Sequence, residues 1–324
     1  MYRLIVGLTV LALALTGCGT PASASEEASG TADPVILTST TFLADIVRHV
    51  AGDRATVESL LPVGADPHSY QPTPQDAAKV AESKVLILNG IEYEHFIESL
   101  LENAGGERLV ITASDGIEPH EMEEHEDEGE HAEDEEEYEE EDEEEHGHEV
   151  GDPHMWLDPN LVIVYVENIR AGLTSHDPDG AAVYQANAEK YIAELQALDA
   201  WILEQVAQIP AERKLLITNH ESLNYFAERY GFTTVGTVIE SFSTNAAPSA
   251  QQLAALIDQV RSTGAPAVFM DASENPALAQ QIASEAGVRV VTNLHLESLT
   301  DGAPAATYVE MMKHNVTQIV DALR

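Results

Sequence analysis

Residues 178–210, PDGAAVYQANAEKYIAELQALDAWILEQVAQIP, predict one long helix between two similar halves of the chain, and this helix sets the architecture. No glycine or proline interrupts it between Gly180 and Pro210. At about 1.5 Å per residue, a helix over 178–209 would be roughly 45–50 Å long if straight. A rigid helix of that length can bridge two lobes.

Short β-rich runs alternate with helical patterns on both sides of this stretch. Before it, the predicted strands are VILT (35–38), ATVESLL (55–61), VLILN (85–89) and RLVIT (108–112), and the predicted helices are FLADIVRHVAG (42–52), PQDAAKVAESK (74–84) and YEHFIESLLENAG (93–105). After it, the strands are KLLIT (214–218), TTVGTV (233–238), AVFM (267–270) and VRVVT (288–292), with helical patterns after each.

Strands separated by helices are typical of βαβ units and a parallel sheet. We therefore expect the α/β class, with an N-terminal lobe over 33–175 and a C-terminal lobe over 211–324, joined by a connecting helix within 176–210. Open parallel sheets bind ligands at the carboxyl ends of their strands. Two such lobes facing each other would leave a binding cleft between them.

The charge of the chain excludes one class of partner. Its 324 residues carry a formal charge of −42, from 57 acidic and 15 basic residues. Nucleic acid is an improbable partner, because its recognition needs clustered Lys and Arg. Residues 118–149 contain 21 of the acidic residues and no Lys or Arg, so the rest of the chain carries −42 + 21 = −21.

The N-terminus is typical of an exported lipoprotein. The apolar run LIVGLTVLALAL (4–15) follows Arg3 and is too short to span a bilayer comfortably, but it suits a signal peptide. It ends in LTGC, which resembles a bacterial lipobox and predicts a signal peptide over 1–18 with lipidation at Cys18. A plain secretion signal with an incidental cysteine is the alternative. Residues 19–32 read as a flexible tether, so we expect an extracytoplasmic, membrane-anchored protein, either periplasmic or on the cell surface.

Three histidines lie in turn-like sequence just beyond predicted elements. His68 follows the second strand, His154 lies in DPHMWLDP (152–159), and His220 follows the strand KLLIT. Any one of them alone could be a packed or a surface histidine. Together they suggest a divalent-metal site, and neutral imidazole with a carboxylate suits zinc.

The chain resembles the metal-binding substrate-binding proteins of bacterial ABC transporters, which serve zinc and manganese uptake. The resemblance rests on five ordered blocks: PVGADPHSYQPTP (62–74), DPHMWLDP (152–159), TNHESLNYFAERYGF (218–232), ESFSTNAAPSAQQLAALIDQVR (240–261) and LESLTDGAPAATYVEMMKHN (296–315). It implies two α/β lobes joined by one long helix. It also implies a metal in the cleft, with two ligands from each lobe, and a membrane permease as partner.

The resemblance assigns His68 and His154 as ligands from the N-terminal lobe. His220 occupies the third position, where manganese-type members tend to have Glu and zinc-type members His. Glu297 replaces the Asp of the fourth position, and its extra methylene moves the carboxylate by about a C–C bond length, so a water could complete the site instead. His295 shares a strand face with Glu297, but the family usually has an apolar or aromatic residue there, and we do not include it.

The acidic segment 118–149 has no apolar run, and its carboxylates repel one another. Both properties predict disorder. It contains five histidines: His120, His125, His131, His146 and His148. It is either a solubilising loop or an accessory collector of weakly bound metal, as in the His-rich loop that zinc-type members often carry at this position.

We expect a monomeric zinc-capture protein that delivers Zn²⁺ to the permease and catalyses no reaction. One alternative is a manganese-uptake protein of the same family. A second is a cell-adhesion lipoprotein (a surface adhesin) in which bound metal is incidental, and a third is a secreted zinc hydrolase with Glu221 as base. The sequence has no H-E-x-x-H helix to support the hydrolase.

Overall fold

The computed structural model describes residues 35–105, 107–121, 151–239, 241–244 and 248–324. The predicted signal peptide, Cys18 and the tether lie outside the described residues, as do His125, His131, His146 and His148 of the acidic segment. Within the described ranges, no helix combines the length and the apolar character needed to cross a membrane.

The first half of the chain forms a four-stranded parallel sheet in the order β2-β1-β3-β4. Its strands are β1 (Val35–Thr38), β2 (Thr56–Ser59), β3 (Val85–Leu88) and β4 (Leu109–Thr112). Ile36 of the central strand β1 pairs with Val57 on one side and Val85 on the other. The apolar run of β3 is buried along most of its length, as expected for a parallel strand covered on both faces.

The second half repeats this arrangement, in the order β6-β5-β7-β8 with all pairs parallel. Its strands are β5 (Leu215–Thr218), β6 (Thr233–Thr237), β7 (Ala267–Asp271) and β8 (Arg289–Leu294). Strand β7 is buried at all of its positions. The predicted α/β class with a parallel sheet in each half is confirmed.

Helices flank both sheets. In the described ranges they are α1 (Thr41–Ala51), α2 (Pro74–Glu82), α3 (Glu98–Asn103), α4 (Pro159–His176), α5 (Ala181–Val206), α6 (Asn224–Tyr230), α7 (Ala250–Thr263), α8 (Ala277–Ala286) and α9 (Tyr308–Leu323). Local sequence fixes several of their starts. Thr73 caps α2 through a capping box with Asp76, and Ser249 does the same for α7 with Gln252.

Two helical regions differ from the sequence-based prediction. The predicted helix over 93–105 is a short 3₁₀ turn (His95–Ile97) followed by α3. Helix α4 was not predicted, because its start, PNLVIVYV, is a nearly continuous apolar run in which helix and strand periodicities cannot be told apart. Asp158 caps α4 by accepting a hydrogen bond from the Asn160 backbone N–H.

The long helix α5 begins three residues later than predicted and has 26 residues, a length of about 39 Å. Pro178–Gly180 forms a 3₁₀ turn instead, and the Asp177 carboxylate beside it accepts hydrogen bonds from Arg54 and Tyr184. Helix α5 packs against α1 and α4 of the first half and α9 of the second. It therefore contributes to one core shared by both halves.

Buried aromatic residues connect the two halves near this core. Trp156 stacks on Phe42 at a centroid distance of 4.4 Å, and its Nε1 donates to the Leu296 carbonyl at 2.7 Å. Tyr308 donates its hydroxyl proton to the Trp156 carbonyl at 2.6 Å, and its backbone N–H donates to Asp45 at 2.9 Å. These contacts fix the two sheets relative to each other.

We predict that Tyr308→Phe destabilises the metal-free protein by about 1–3 kcal/mol, because it leaves a buried carbonyl without its hydroxyl donor. Tyr191→Phe is the matched control, since the buried Tyr191 hydroxyl has no hydrogen-bond partner among the described residues. Its removal should be neutral or stabilising. Urea unfolding followed by circular dichroism measures both, and equal stabilities of the two variants would contradict the role given to Tyr308.

Candidate metal centre

Four loops bring the predicted ligands together at the carboxyl ends of the two sheets. His68 lies between β2 and α2, His154 lies immediately before the 3₁₀ turn that leads to α4, His220 follows β5, and Glu297 follows β8. Parallel strands direct such loops to one edge of a sheet. Because the two edges face each other, residues far apart in sequence meet in one cluster.

The two histidines of the first half are presented by the same local turn. In Asp66-Pro67-His68, an Asp66 oxygen accepts a hydrogen bond from the His68 backbone N–H at 2.9 Å. In Asp152-Pro153-His154, Asp152 accepts one from the His154 backbone N–H at the same distance. An aspartate that bonds the backbone two residues later closes a compact turn, and the proline between them restricts the backbone further.

The ligand atoms of His68, His154, His220 and Glu297 all lie within 4.8 Å of one another. Glu297 Oε1 is 3.2 Å from His154 Nε2, 3.4 Å from His220 Nε2 and 3.9 Å from His68 Nε2. The Nε2 atoms of His154 and His220 lie 3.3 Å apart. Such a spacing lets three nitrogens and one oxygen converge on a single ion.

The cluster is enclosed except at His68. His154, His220 and Glu297 are at most 2% exposed, whereas the His68 side chain is 8% exposed. A cavity of about 130 Å³ adjoins His68 and is bordered by Tyr93 and Phe242. The cluster is therefore most open to solvent at His68.

Carboxylates behind two of the histidines orient their rings. His154 Nδ1 donates to Asp152 at 2.7 Å, and His220 Nδ1 donates to Glu274 at 2.7 Å. These hydrogen bonds turn both Nε2 atoms toward the cluster and increase the basicity of the imidazoles, as carboxylates do behind metal-bound histidines. Asn219 also donates to Glu274, at 2.9 Å, which fixes that carboxylate in turn.

The two oxygens of Glu297 lie in different environments. Oε2 accepts a hydrogen bond from the Tyr93 hydroxyl at 2.6 Å. Oε1 is buried, and the polar atoms that face it are the Nε2 atoms of the three imidazoles. A buried carboxylate oxygen needs positive charge in front of it, which either a protonated imidazole or a bound cation supplies. The donor set therefore fits a divalent metal.

A tight turn holds Tyr93 in place. Ile91 and Glu92 have φ values of 55° and 54°, in the left-handed region that non-glycine residues rarely adopt. Gly90 before them approaches Thr112 so closely that a Cβ atom would lie 2.5 Å from its methyl group. Such strained backbone clusters at functional sites, where the surroundings enforce it.

Glu94 secures this turn from the inside. Its fully buried carboxylate accepts hydrogen bonds from the backbone N–H groups of Asn89 and Gly90 and from the Ser39 hydroxyl. Burial, only partly offset by these donors, raises the pKa of Glu94 to about 7. The turn is thus built around a carboxyl group that does not contact the four candidate ligands.

The electrostatics of the cluster favour charged partners. Burial lowers the pKa of His154, but the carboxylates of Glu297 and Asp152 outweigh this effect and raise it above its ordinary value. Burial opposes a proton on His220 as well, yet Glu274 and Glu297 raise its pKa to about 10. Burial raises the pKa of Glu297, and the three histidines reverse this and lower it well below its ordinary value. Metal-free His220 therefore carries a proton at neutral pH, on a ring that the metal would bind.

Other residues weighed from the sequence lie outside this cluster. His295 faces His314 at a ring distance of 5.3 Å. Glu221 and His120 line a different cavity of about 670 Å³, and His120 Nε2 lies 2.7 Å from Glu228. His120 also stacks on Tyr225 at 4.1 Å.

Sequence reasoning missed the residues that contact and orient the candidate ligands. Glu274 follows β7, and the rule that polar groups collect at carboxyl ends of parallel strands could have found it. Asp152 repeats the Asp-Pro-His pattern of Asp66, which is visible in the sequence. Tyr93 gave no signal, because its role depends on a strained turn.

Comparison with known proteins identifies the family. The sequence matches the model of the family described as zinc-uptake complex component A periplasmic (ZnuA) over residues 36–322. The chain belongs to this family. This chain is therefore a metal-binding substrate-binding protein of ABC transporters. Members of the family are solute-binding proteins and not enzymes.

Relatives of this ZnuA-family chain differ in the metal they are named for. It is 33% identical to the manganese-binding lipoprotein MntA of Halalkalibacterium halodurans, covering 98% of this chain and 96% of that protein. It is 32% identical to the iron-binding protein YfeA of Yersinia pestis, covering 88% and 84%.

Solved structures show the same fold. The Mn-bound periplasmic metal-binding protein of Candidatus Liberibacter asiaticus superposes with a TM-score of 0.74 at 27% identity, covering 90% of this chain and all of that one. The periplasmic zinc-binding protein TroA of Treponema pallidum gives a TM-score of 0.77 at 25% identity, covering 90% and 99%.

We predict that His220→Ala weakens zinc binding by more than about 100-fold. Loss of a residue that only hydrogen-bonds to a metal ligand typically costs about 10–100-fold in affinity, and loss of a ligand itself should cost more. His295→Ala is the matched control and should leave the affinity unchanged. Competition with a chromogenic chelator measures both. Unchanged affinity in the His220 variant would remove His220 from the site.

We also predict that metal binding releases protons. The pKa of His220, raised to about 10, keeps a proton on this ring at neutral pH, and a metal must displace it. The affinity should rise about tenfold per pH unit for each proton released, and the rise should continue above pH 7 because the pKa of His220 is about 10. Calorimetry at pH 7 in buffers of different ionisation enthalpy counts these protons, and identical heats in all buffers would contradict the prediction.

Proposed function

We propose that this ZnuA-family protein captures Zn²⁺ outside the cytoplasm and delivers it to an ABC-transporter permease. The observation that carries the proposal is the donor set, three imidazole nitrogens and one carboxylate oxygen converging within 4.8 Å. Zinc is commonly four-coordinate with nitrogen and oxygen ligands, and a site filled by four protein ligands suits holding an ion more than catalysis on it.

The ligands we assign to Zn²⁺ are His68, His154, His220 and Glu297. Glu297 fills the fourth position directly in this assignment, since its Oε1 faces all three imidazoles. The carboxylates behind His154 and His220 make these rings better donors for a Lewis-acidic ion.

Manganese capture is the second candidate, and the names of the relatives favour it. MntA of Halalkalibacterium halodurans is named manganese-binding, as is the manganese ABC transporter substrate-binding lipoprotein ScaA of Streptococcus gordonii. The donor set opposes it here, because Mn²⁺ prefers oxygen ligands, whereas three of the four donors are nitrogens.

The mode of attachment is part of the proposal. We assign residues 1–18 as a signal peptide, Cys18 as the lipidated residue and 19–32 as the tether, and we place the boundaries of the connecting segment at 176 and 210. Several relatives are named lipoproteins. We further propose that the protein acts as a monomer.

We also propose a role for the acidic segment 118–149. Its histidines would collect metal weakly near the cleft; they are His120, His125, His131, His146 and His148.

We predict one tight Zn²⁺ site in the metal-stripped protein, with Mn²⁺ binding at least about 100-fold more weakly, in line with the general preference of nitrogen-rich sites for zinc over manganese. The same site should survive deletion of residues 118–149. Calorimetric titration with each metal, with and without the segment, tests this. Parity between Mn²⁺ and Zn²⁺ would favour manganese capture, and loss of tight binding with the segment would place the function there.

A further inference from the structure

The contact between Tyr93 and Glu297 joins the two halves of the chain at the metal cluster. Tyr93 comes from the loop after β3, and Glu297 comes from the loop after β8. Their hydrogen bond, at 2.6 Å, is short for a hydroxyl donor and is made to a charged acceptor, which strengthens it. It engages Oε2, the oxygen that does not face the three imidazoles.

Tyr93 cannot easily turn away from this contact. Tyr93 is 3% exposed; its ring packs edge-on against the His68 ring at 5.6 Å and lies tilted against the Trp156 ring at 4.9 Å. The strained turn at Ile91 and Glu92 fixes the backbone on its N-terminal side. On its C-terminal side, the buried carboxylate of Glu94 is bonded to the start of the same turn.

The engaged oxygen limits how Glu297 can bind an ion. A carboxylate with both oxygens available can bind a metal through one or both of them, as in calcium sites. With Oε2 held by the phenol, Oε1 alone is directed at the ion, and the protein then supplies four donor atoms. Four donors match the tetrahedral preference of zinc, whereas larger ions that favour higher coordination numbers are left short of ligands.

We propose that Tyr93 determines the metal preference of this site by holding Glu297 to a single ligating oxygen. This inference rests on the proposed function, because it assumes that the four residues bind the captured ion. Tyr93 is a positioning residue in this scheme, since it contacts the ligand and not the metal.

The test compares wild-type protein with Tyr93→Phe, which removes the hydroxyl and keeps the ring. Zn²⁺ and Mn²⁺ affinities are measured for both by chelator competition. We expect Zn²⁺ affinity to fall about tenfold, the lower end for loss of a group behind a ligand. Mn²⁺ affinity should stay the same or rise, because the second oxygen of Glu297 becomes available. The ratio of Zn²⁺ affinity to Mn²⁺ affinity should therefore fall by about tenfold or more.

Tyr184→Phe is the matched control. Tyr184 is 4% exposed, and its hydroxyl donates at 2.6 Å to the carboxylate of Asp177, which lies before α5 and is not one of the four candidate ligands. The Zn²⁺/Mn²⁺ ratio should be that of wild type. A general loosening of the fold would change both variants alike, whereas the proposed role changes the ratio only in Tyr93→Phe.

The visible spectrum of the Co²⁺-loaded protein reports coordination directly. Four-coordinate Co²⁺ absorbs strongly, and its bands weaken as the coordination number rises. We expect intense bands for the wild type and weaker bands for Tyr93→Phe. Weak bands in the wild type would overturn the inference without any variant, even if Tyr93→Phe failed to fold.

The outcomes separate the inference from the function on which it rests. A wild-type protein that prefers Zn²⁺, with an unchanged ratio and unchanged Co²⁺ bands in Tyr93→Phe, refutes the role of Tyr93 alone. A wild-type protein in which Mn²⁺ equals or exceeds Zn²⁺ refutes zinc capture, and the inference falls with it.

Discussion

The burial of one carboxylate, that of Glu297, is the constraint on which the site depends. A charge removed from water is costly unless opposite charge and hydrogen bonds surround it. Here three imidazoles face Oε1, a phenol binds Oε2, and the cluster is closed to solvent on all but one side. In the metal-free protein, the proton on His220 supplies positive charge, and a divalent ion supplies it when bound. The two states are alternatives for the same electrostatic need.

Meeting this need requires both halves of the chain at once. His68 and His154 come from loops of the first sheet, and His220 and Glu297 from loops of the second. The cluster can form only if the sheets are held at a fixed separation. The hydrogen bond from Trp156 to the Leu296 carbonyl of the second half supports this separation beside the candidate ligands, because Trp156 follows His154 by two residues. Core packing and ligand geometry are thus parts of one arrangement.

Sequence reasoning reached the fold and the four clustered residues for identifiable reasons. Strand and helix periodicities are local properties, so β1 to β8 were predicted to within a few residues, and the family motifs pointed to the four candidate ligands. Helix α4 was missed because its apolar start has no distinct period. Tyr93 was missed because its position depends on two left-handed residues and a buried Glu94, and neither has a local signature. Residues that position a ligand from another part of the chain emerge only in three dimensions.

The uneven enclosure of the four residues has a kinetic consequence. An ion held among groups that are almost fully buried exchanges with solvent no faster than the protein opens a path, and His68 is the most exposed of the four residues. On the proposed assignment, the residence time of the cargo depends on opening beside the loop between β2 and α2, which carries His68, while thermodynamic affinity belongs to the whole cluster. A membrane partner that displaced this one loop would shorten the residence time without separating the two halves of the molecule.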